Sequence, residues 1–223
     1  FPSALEAQRL DDLNRLDPAT YAWIWEGQYL ENSDAQVFHG KVDVRSFEPG
    51  GAGWQGPYYG GDFGFSQDPT AAVELWVHDE CLYIHREACK VGLELDDTAS
   101  YIMERIPGFD KEVSRWDCAR PESISHLKRH GLPRAQSVKK WAGSVEDGIQ
   151  HIRSYRRVVI HPDCKEMQRE ARLYSYKVDR LTGDVTSKVV DSHNHLWDSV
   201  RYGLEPMVSR KGFGRPMPVS FTF

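Results

Sequence analysis

The sequence lacks several features that would place it in a well-defined class. It has no apolar run near the roughly 18 residues that a membrane-spanning helix needs, so we expect no membrane partner. Its four cysteines form no CxxC pair, which argues against a zinc or redox motif and fits thiols buried in a reducing cytoplasm. Neither a Walker A loop nor a GxGxxG fingerprint is present. The usual nucleotide-binding folds are therefore not supported.

Positive charge is also scarce. The formal net charge is −5 at pH 7, whereas nucleic-acid binders are often basic. The balance weighs against DNA as a partner but does not exclude a nuclease, because bound cations offset the carboxylates of a metal site. Basic residues do cluster at Lys128-Arg129 and Lys139-Lys140. These pairs are either solvated surface or local patches for phosphates, so we expect any DNA binding to be weak and salt-sensitive.

Hydrophobic periodicity and turn residues predict alternating strands and helices from Tyr58 onward. Three strands come first, followed by a helix over 95–106 and then by alternating strands and helices. One of these helices, from Ser144 to Tyr155, is predicted to use Ser144 as its cap. A hairpin around 181–184 precedes the last helix, 195–204. This order predicts an α/β sheet with helices on its faces.

The two ends of the chain have a different character. Residues 4–16 are predicted to be helical, and 27–56 turn irregular and end in the glycine-rich run 50–53. We therefore divide the chain into a segment and linker (1–56), a main domain (57–205) and a basic, flexible tail (206–223). Because the chain begins at Phe1 and not at Met, we interpret it as a fragment or a processed product.

Four aspartates stand out by position. Asp62 and Asp117 each end a predicted strand, and Asp191 and Asp198 bracket the start of the last helix. Strand-end carboxylates meet at the carboxyl edge of an open α/β sheet, where ligands bind. Close carboxylates repel each other unless cations lie between them, and oxygen ligands favour Mg²⁺ or Mn²⁺ over zinc. Such a site suits phosphodiester cleavage.

Each of these residues also has a simpler explanation. An aspartate near a strand end is usually a turn or cap residue, and Asp191 could cap the last helix. His193 and His195 could polarise a water, although hydrogen bonding at the start of the helix is favoured. Spacing alone therefore favours structural roles.

Four segments in order resemble the nuclease domain of the large terminase subunits of tailed phages. They are 60–70, 117–123, 139–149 and 195–202, within a resemblance that covers about residues 58–205. Two stretches before them, 16–21 and 25–28, look like the end of the ATPase domain that precedes this nuclease. The sequence departs from the family pattern at Trp116, directly before the second segment, where a small residue is usual, and at Cys118 within it, where Ser is common.

The resemblance implies an RNase H-like fold, with a central mixed sheet flanked by helices and an extra β-hairpin before the last helix. It also implies an acidic triad of Asp62, Asp117 and Asp198 that holds two Mg²⁺ or Mn²⁺ ions. Asp191 is slightly favoured as a neighbour of the second ion, and Lys139 and Lys140 become phosphate contacts. The implied activity is non-specific cutting of concatemeric viral double-stranded DNA during genome packaging.

The implied partners are the ATPase domain of the same full-length chain, the small terminase subunit and the portal protein. The implied location is the host cytoplasm, transiently at the procapsid portal. Two alternatives stay open. One is another RNase H-like nuclease, such as a junction resolvase or a transposase-type enzyme, and an upstream Walker A motif would argue against it. The other is a non-catalytic DNA-binding or docking module, which metal-dependent nicking of plasmid DNA would exclude.

Overall fold

A computed structural model describes residues 35–64, 67–117, 119, 121–179 and 182–208. The described residues divide into two compact units, of which the larger comprises Gly40–Tyr174 and residues 191–208. The predicted helix over 4–16, the ATPase-like segment within residues 1–28 and Cys118 lie outside the described residues. Within those ranges, no helix is both long and apolar enough to cross a bilayer.

The larger unit is built on a seven-stranded mixed sheet in the order β1-β7-β4-β3-β2-β5-β6. Its strands are β1 (Val42–Val44), β2 (Gln55–Asp62), β3 (Pro69–His78), β4 (Cys81–Val91), β5 (Ser114–Trp116), β6 (Ala135–Ser137) and β7 (Val158–Ile160). Only β3 runs against its neighbours, whereas the other pairings are parallel. Six strands therefore end at one common edge, here named the carboxyl edge.

Helices cover both faces of this sheet. They are α1 (Leu95–Arg105), α2 (Pro121–Arg129), α3 (Ser144–Ser154), α4 (Lys165–Leu173) and α5 (His195–Gly203). Tyr59 packs into the apolar core that contains Ile102 of α1 and Leu127 of α2. Its neighbour Gly60 faces α5 instead. Successive strand residues point to opposite faces, so α5 lies on the other side of the sheet from α1 and α2.

These observations confirm the predicted mixed α/β fold with flanking helices and an extra hairpin. The hairpin consists of β8 (Tyr176–Val178) and β9 (Val185–Val189), and it belongs to the smaller unit. Three of the cysteines are free thiols, of which Cys81 and Cys164 are buried and Cys89 is half-buried. The predicted burial of the thiols therefore holds for two of them fully and for the third in part.

The structure differs from the prediction in several local details. The segment 27–56 is not irregular throughout, because β1 joins the sheet beside β7 and the predicted boundary at 56–57 falls inside β2. The N-cap of α3 is Gly143 in the left-handed conformation, with no side-chain cap, and not Ser144. The predicted tail begins inside a 3-10 helix, Glu205–Met207, and is followed by the buried Val208.

Candidate active site

Asp62 and Asp117 are placed side by side by the pairing of two parallel strands. Gly61 of β2 is in register with Trp116 of β5, so the next residue of each chain segment is an aspartate at the carboxyl edge. The pairing depends on Gly61, because a Cβ there would lie 2.5 Å from the Trp116 ring. The bulky Trp116 is accommodated by a glycine on the neighbouring strand, and it packs under the site as a buried residue.

Asp198 reaches the same edge because α5 packs directly on β2. A Cβ on Gly60 would lie only 1.8 Å from the carbonyl oxygen of Ser199, so no other residue permits this approach. The Ser199 hydroxyl also lies 3.2 Å from the carbonyl oxygen of Ala71 on β3. These backbone-level contacts fix the helix that carries Asp198 against the strand that carries Asp62.

The carboxylates are close enough to influence one another. Asp62 is only 8% exposed, and this burial raises its pKa to about 6. The hydrogen bond with His195 lowers the pKa but does not outweigh the burial. The negative charges of Asp198 and Asp117 raise the pKa further. The buried Tyr202, four residues after Asp198, has its pKa raised by burial and then by the same three carboxylates. The structure thus brings the three predicted acids together.

Each of these carboxylates faces a basic side chain. Nζ of Lys140 lies 2.6 Å from Asp117, and Nη2 of Arg201 donates to Asp198 over 2.6 Å. Nδ1 of His195 lies 3.2 Å from Asp62, and this contact raises the pKa of the imidazole. Lys140 is 42% exposed, whereas Arg201 is buried. The site therefore combines three acids with three positively charged or chargeable groups.

A divalent cation is compatible with this donor set. Carboxylate oxygens are the ligands that Mg²⁺ and Mn²⁺ prefer, and a cation beside Asp62 would oppose the burial and the neighbouring negative charges that raise its pKa. Across the described ranges, however, no three His, Cys, Asp or Glu side chains are already arranged to hold a metal ion. The three carboxylates are the right type of ligand for a divalent cation. Their side chains are positioned here by Lys140, Arg201 and His195.

The structure places the other predicted residues less centrally. Asp191 is exposed and lies before α5, whose N-cap is Asn194, so Asp191 is not the helix cap. His195 was expected to serve mainly at the start of the helix. It is indeed the first residue of α5, but its ring lies between Asp62 and Asp68, at 3.2 and 3.6 Å. His195 therefore belongs to the site.

The two predicted basic pairs lie at different ends of the sheet. Lys139 and Lys140 follow β6 at the carboxyl edge, and both line a shallow pocket with Arg201 and Tyr202. Lys128 and Arg129 end α2, which runs back from the carboxyl end of β5 to the start of β6. They are therefore at the edge opposite the aspartates.

Glu170 on α4 was not predicted. It is 6% exposed, and its Oε2 accepts hydrogen bonds from the backbone N–H groups of Leu196 and Trp197 at 2.9 and 3.3 Å. Burial raises its pKa to about 7, although these hydrogen bonds lower it. One sequence signal existed: Glu170 follows the buried Met167 by three residues and so shares the apolar face of an amphipathic helix.

Comparisons with known proteins agree with this geometry. Residues 62–206 match the family described as terminase RNase H-like domain. The large terminase subunit of Bacillus phage SPP1 is 30% identical over 156 residues, covering 68% of this chain and 36% of the phage protein. The PBSX phage terminase large subunit of Bacillus subtilis (strain 168) is 26% identical over 148 residues, covering 66% and 33%. The chain thus spans about a third of these curated relatives.

Solved structures show the same fold. The SPP1 large terminase nuclease domain with bound Mn superposes with a TM-score of 0.65 at 25% identity, covering 75% of this chain and 97% of that domain. The nuclease domain of the P22 large terminase gives a TM-score of 0.59 at 18% identity, covering 77% and 91%. The sequence match and the shared fold together establish that this chain belongs to the terminase RNase H-like domain family.

Proposed function

We propose that the chain is a Mg²⁺- or Mn²⁺-dependent endonuclease that cleaves double-stranded viral DNA during genome packaging. The observation that carries this proposal is the convergence of Asp62, Asp117 and Asp198 at one edge of the sheet. The manganese bound to the related SPP1 nuclease domain supports the choice of metal. Membership of the terminase family favours this function over a resolvase, a transposase-type enzyme or a docking module.

Asp62, Asp117 and Asp198 are the residues that would hold the cations, with Asp191 proposed as a peripheral neighbour. Two bound divalent cations supply the Lewis acidity that phosphodiester hydrolysis needs. Asp62 depends most on added positive charge, because its own burial disfavours its charged form. His195 holds Asp62 in place through the contact at Oδ2.

Lys140 is proposed to contact the DNA backbone beside the acids. Its ammonium group is partly exposed and is paired with Asp117, so cation binding at Asp117 would free it for a phosphate. Lys139 is exposed next to it. Arg201 differs, because it is buried against Asp198 and serves to orient that carboxylate.

The wider setting is also a proposal, because the chain spans only part of its relatives. The ATPase domain of the full-length protein, the small terminase subunit and the portal are the expected partners. The expected location is the host cytoplasm, transiently at the procapsid portal. The absence of a recognisable base-reading module favours cleavage with little sequence preference.

A plasmid assay tests the activity. The 223-residue chain is incubated with supercoiled plasmid in Mg²⁺, in Mn²⁺ and in excess chelator. We expect nicked, then linear and then heterogeneous products with either metal, and intact plasmid with chelator. Cleavage that persists in chelator, or a single discrete cut, contradicts the proposal. DNA binding without nicking in either metal would favour the docking module.

A further inference from the structure

The first turn of α5 is held by a side chain from another helix. The first N–H groups of any helix lack partners within it, and the N-cap residue Asn194 makes no side-chain cap hydrogen bond. Oε2 of Glu170 accepts the hydrogen bonds of two of these N–H groups, at Leu196 and Trp197. The carboxylate of α4 therefore does for α5 what a cap residue usually does.

The two residues so held separate His195 from Asp198. His195 contacts Asp62, and Asp198 is the predicted acid of this helix. Fixing the backbone at Leu196 and Trp197 therefore fixes both side chains relative to β2. The contact is buried, so water does not compete for these N–H groups as it would at an exposed helix end.

Burying a charged carboxylate to cap a helix stabilises the fold less than an ordinary cap residue does. Burial raises the pKa of Glu170 to about 7, so keeping it charged at neutral pH opposes folding. An uncharged Ser at the half-buried position 194 could satisfy one of the same N–H groups without burying a charge. Unlike a cap residue of α5 itself, the carboxylate of Glu170 ties the first turn of α5 to α4.

We propose that Glu170 is a positioning residue of the cation site, which sets the first turn of α5 so that His195 and Asp198 face Asp62. This inference rests on the proposed function and adds a residue that touches neither cation nor DNA. Residues that orient metal ligands in this way typically change metal affinity by about 10–100-fold when they are replaced.

The chain supplies a matched control in Glu87. Its two carboxylate oxygens accept hydrogen bonds from the backbone N–H groups of Glu166 and Met167, at 2.9 and 2.8 Å, at the start of α4. Burial likewise raises its pKa, to about 6. Glu87 thus has the same chemistry at the first turn of α4, the helix that carries Glu170 but none of the three predicted acids.

The test measures Mn²⁺ binding by calorimetry and the Mn²⁺ midpoint of plasmid cleavage for the whole chain and its variants. Glu170→Ala is expected to weaken Mn²⁺ binding by on the order of 10-fold, and Glu170→Gln by about 3-fold because an amide oxygen still accepts. Glu87→Ala should lower the melting temperature to a similar degree and leave the Mn²⁺ affinity within about 2-fold, because Glu170 lies in the next turn of α4 and keeps its own hydrogen bonds to α5.

The outcomes separate this inference from the proposed function. If wild type neither binds Mn²⁺ nor cleaves DNA, the proposed function fails and the inference fails with it. If wild type binds Mn²⁺ and cleaves DNA, and the Mn²⁺ affinity of Glu170→Ala equals that of Glu87→Ala, Glu170 has only a structural role and the inference is overturned. Should Glu170→Ala not fold, Glu170→Gln decides, and wild-type Mn²⁺ affinity in that variant overturns the inference.

Discussion

Two buried carboxylates on neighbouring strands of the same sheet have pKa values that are shifted in opposite directions. Glu74 on β3 is 2% exposed, and burial raises its pKa, but hydrogen bonds from His85, Trp76 and Arg86 outweigh this and lower it overall. Asp62 on β2 is almost as buried, and its burial raises its pKa to about 6, because the opposing effect of His195 is too small and the charges of Asp198 and Asp117 raise the pKa further. Glu74 is a satisfied structural ion, whereas Asp62 is left short of positive charge, as a cation ligand would be.

The largest effect is expected from Asp62→Asn. The change removes a ligand charge, so cleavage should fall by on the order of 10³-fold or more. The folded pKa of Asp62 is raised, so at pH 8 its ionised form opposes folding, and an uncharged amide should leave the metal-free protein as stable or more stable. Plasmid cleavage and chemical denaturation check both halves. If the variant still cleaves DNA, or if it loses much stability, Asp62 is a structural carboxylate like Glu74 and not a cation ligand.

Asp198→Asn and Asp191→Asn extend the comparison to the start of α5. Asp198 lies among the acids, so its replacement should abolish cleavage while the fold survives. Asp191 is exposed outside the helix, and Asp191→Asn should leave measurable activity. A Mn²⁺ titration of cleavage by both variants decides the assignment. Normal cutting by Asp198→Asn beside a dead Asp191→Asn would show that the third acid is Asp191.

Glu74→Gln should lower stability and leave cleavage unchanged, the opposite of what is expected for Asp62→Asn. Hydrogen bonds to a charged group each contribute about 1.5–3 kcal/mol, and Gln keeps only part of them, so the free energy of unfolding should drop by about 2 kcal/mol. Cleavage per folded molecule should stay at the wild-type level, because the Glu74 network makes no contact with Asp62. Denaturant titration and cleavage at a temperature where the variant is folded test this. A stable but inactive variant would contradict the division of roles.

The raised pKa of Glu170 predicts that it stabilises the fold more at low pH than at high pH. Its folded pKa of about 7 lies above the ordinary 4.5, so its contribution to stability is full below 4.5 and is lost as the pH rises through 7. In chelator, the stability of wild type relative to Glu170→Gln should therefore increase by on the order of 3 kcal/mol from pH 8 to pH 5. Denaturation at a series of pH values measures this difference, and a flat or falling difference would show that Glu170 is not a raised-pKa group.

The smallest effect concerns Lys140. Lys140→Ala should weaken DNA binding and reduce the slope of log affinity against log salt by about 1, because one phosphate contact is lost. Lys111→Ala is the matched control, since Lys111 is exposed on the loop that leads from α1 to β5, away from the carboxyl edge. Binding measured at several salt concentrations compares the two. Equal slopes for both variants would indicate that Lys140 only pairs with Asp117.

Local features of the fold were predictable because they depend on local chemistry. Asp79 and Glu80 adopt positive φ in the predicted hairpin turn, and α2 spans the predicted residues Pro121–Arg129. Asp62 and Asp117 could be placed at one edge because both end strands of an α/β sheet. The resemblance to large terminases supplied Asp198, which spacing alone did not separate from Asp191.

What escaped prediction depends on long-range packing. Three-residue β1 carries no periodic signal, and only its pairing with β7 makes it a strand. The fit of Trp116 against Gly61 requires the register of β2 and β5. The role of Glu170 requires α4 to lie beside α5. His195 was underrated because its contact with Asp62 spans 133 residues of sequence.

We propose that Asp62, Asp117 and Asp198 together hold divalent cations. Crystals of the chain grown with Mn²⁺ and measured at the manganese absorption edge locate the ions directly, through anomalous difference density. We predict peaks between these three carboxylates, with the ammonium of Lys140 displaced from Asp117. No peak at these residues at a Mn²⁺ concentration that supports cleavage, or a peak bound only by other side chains, would contradict the account.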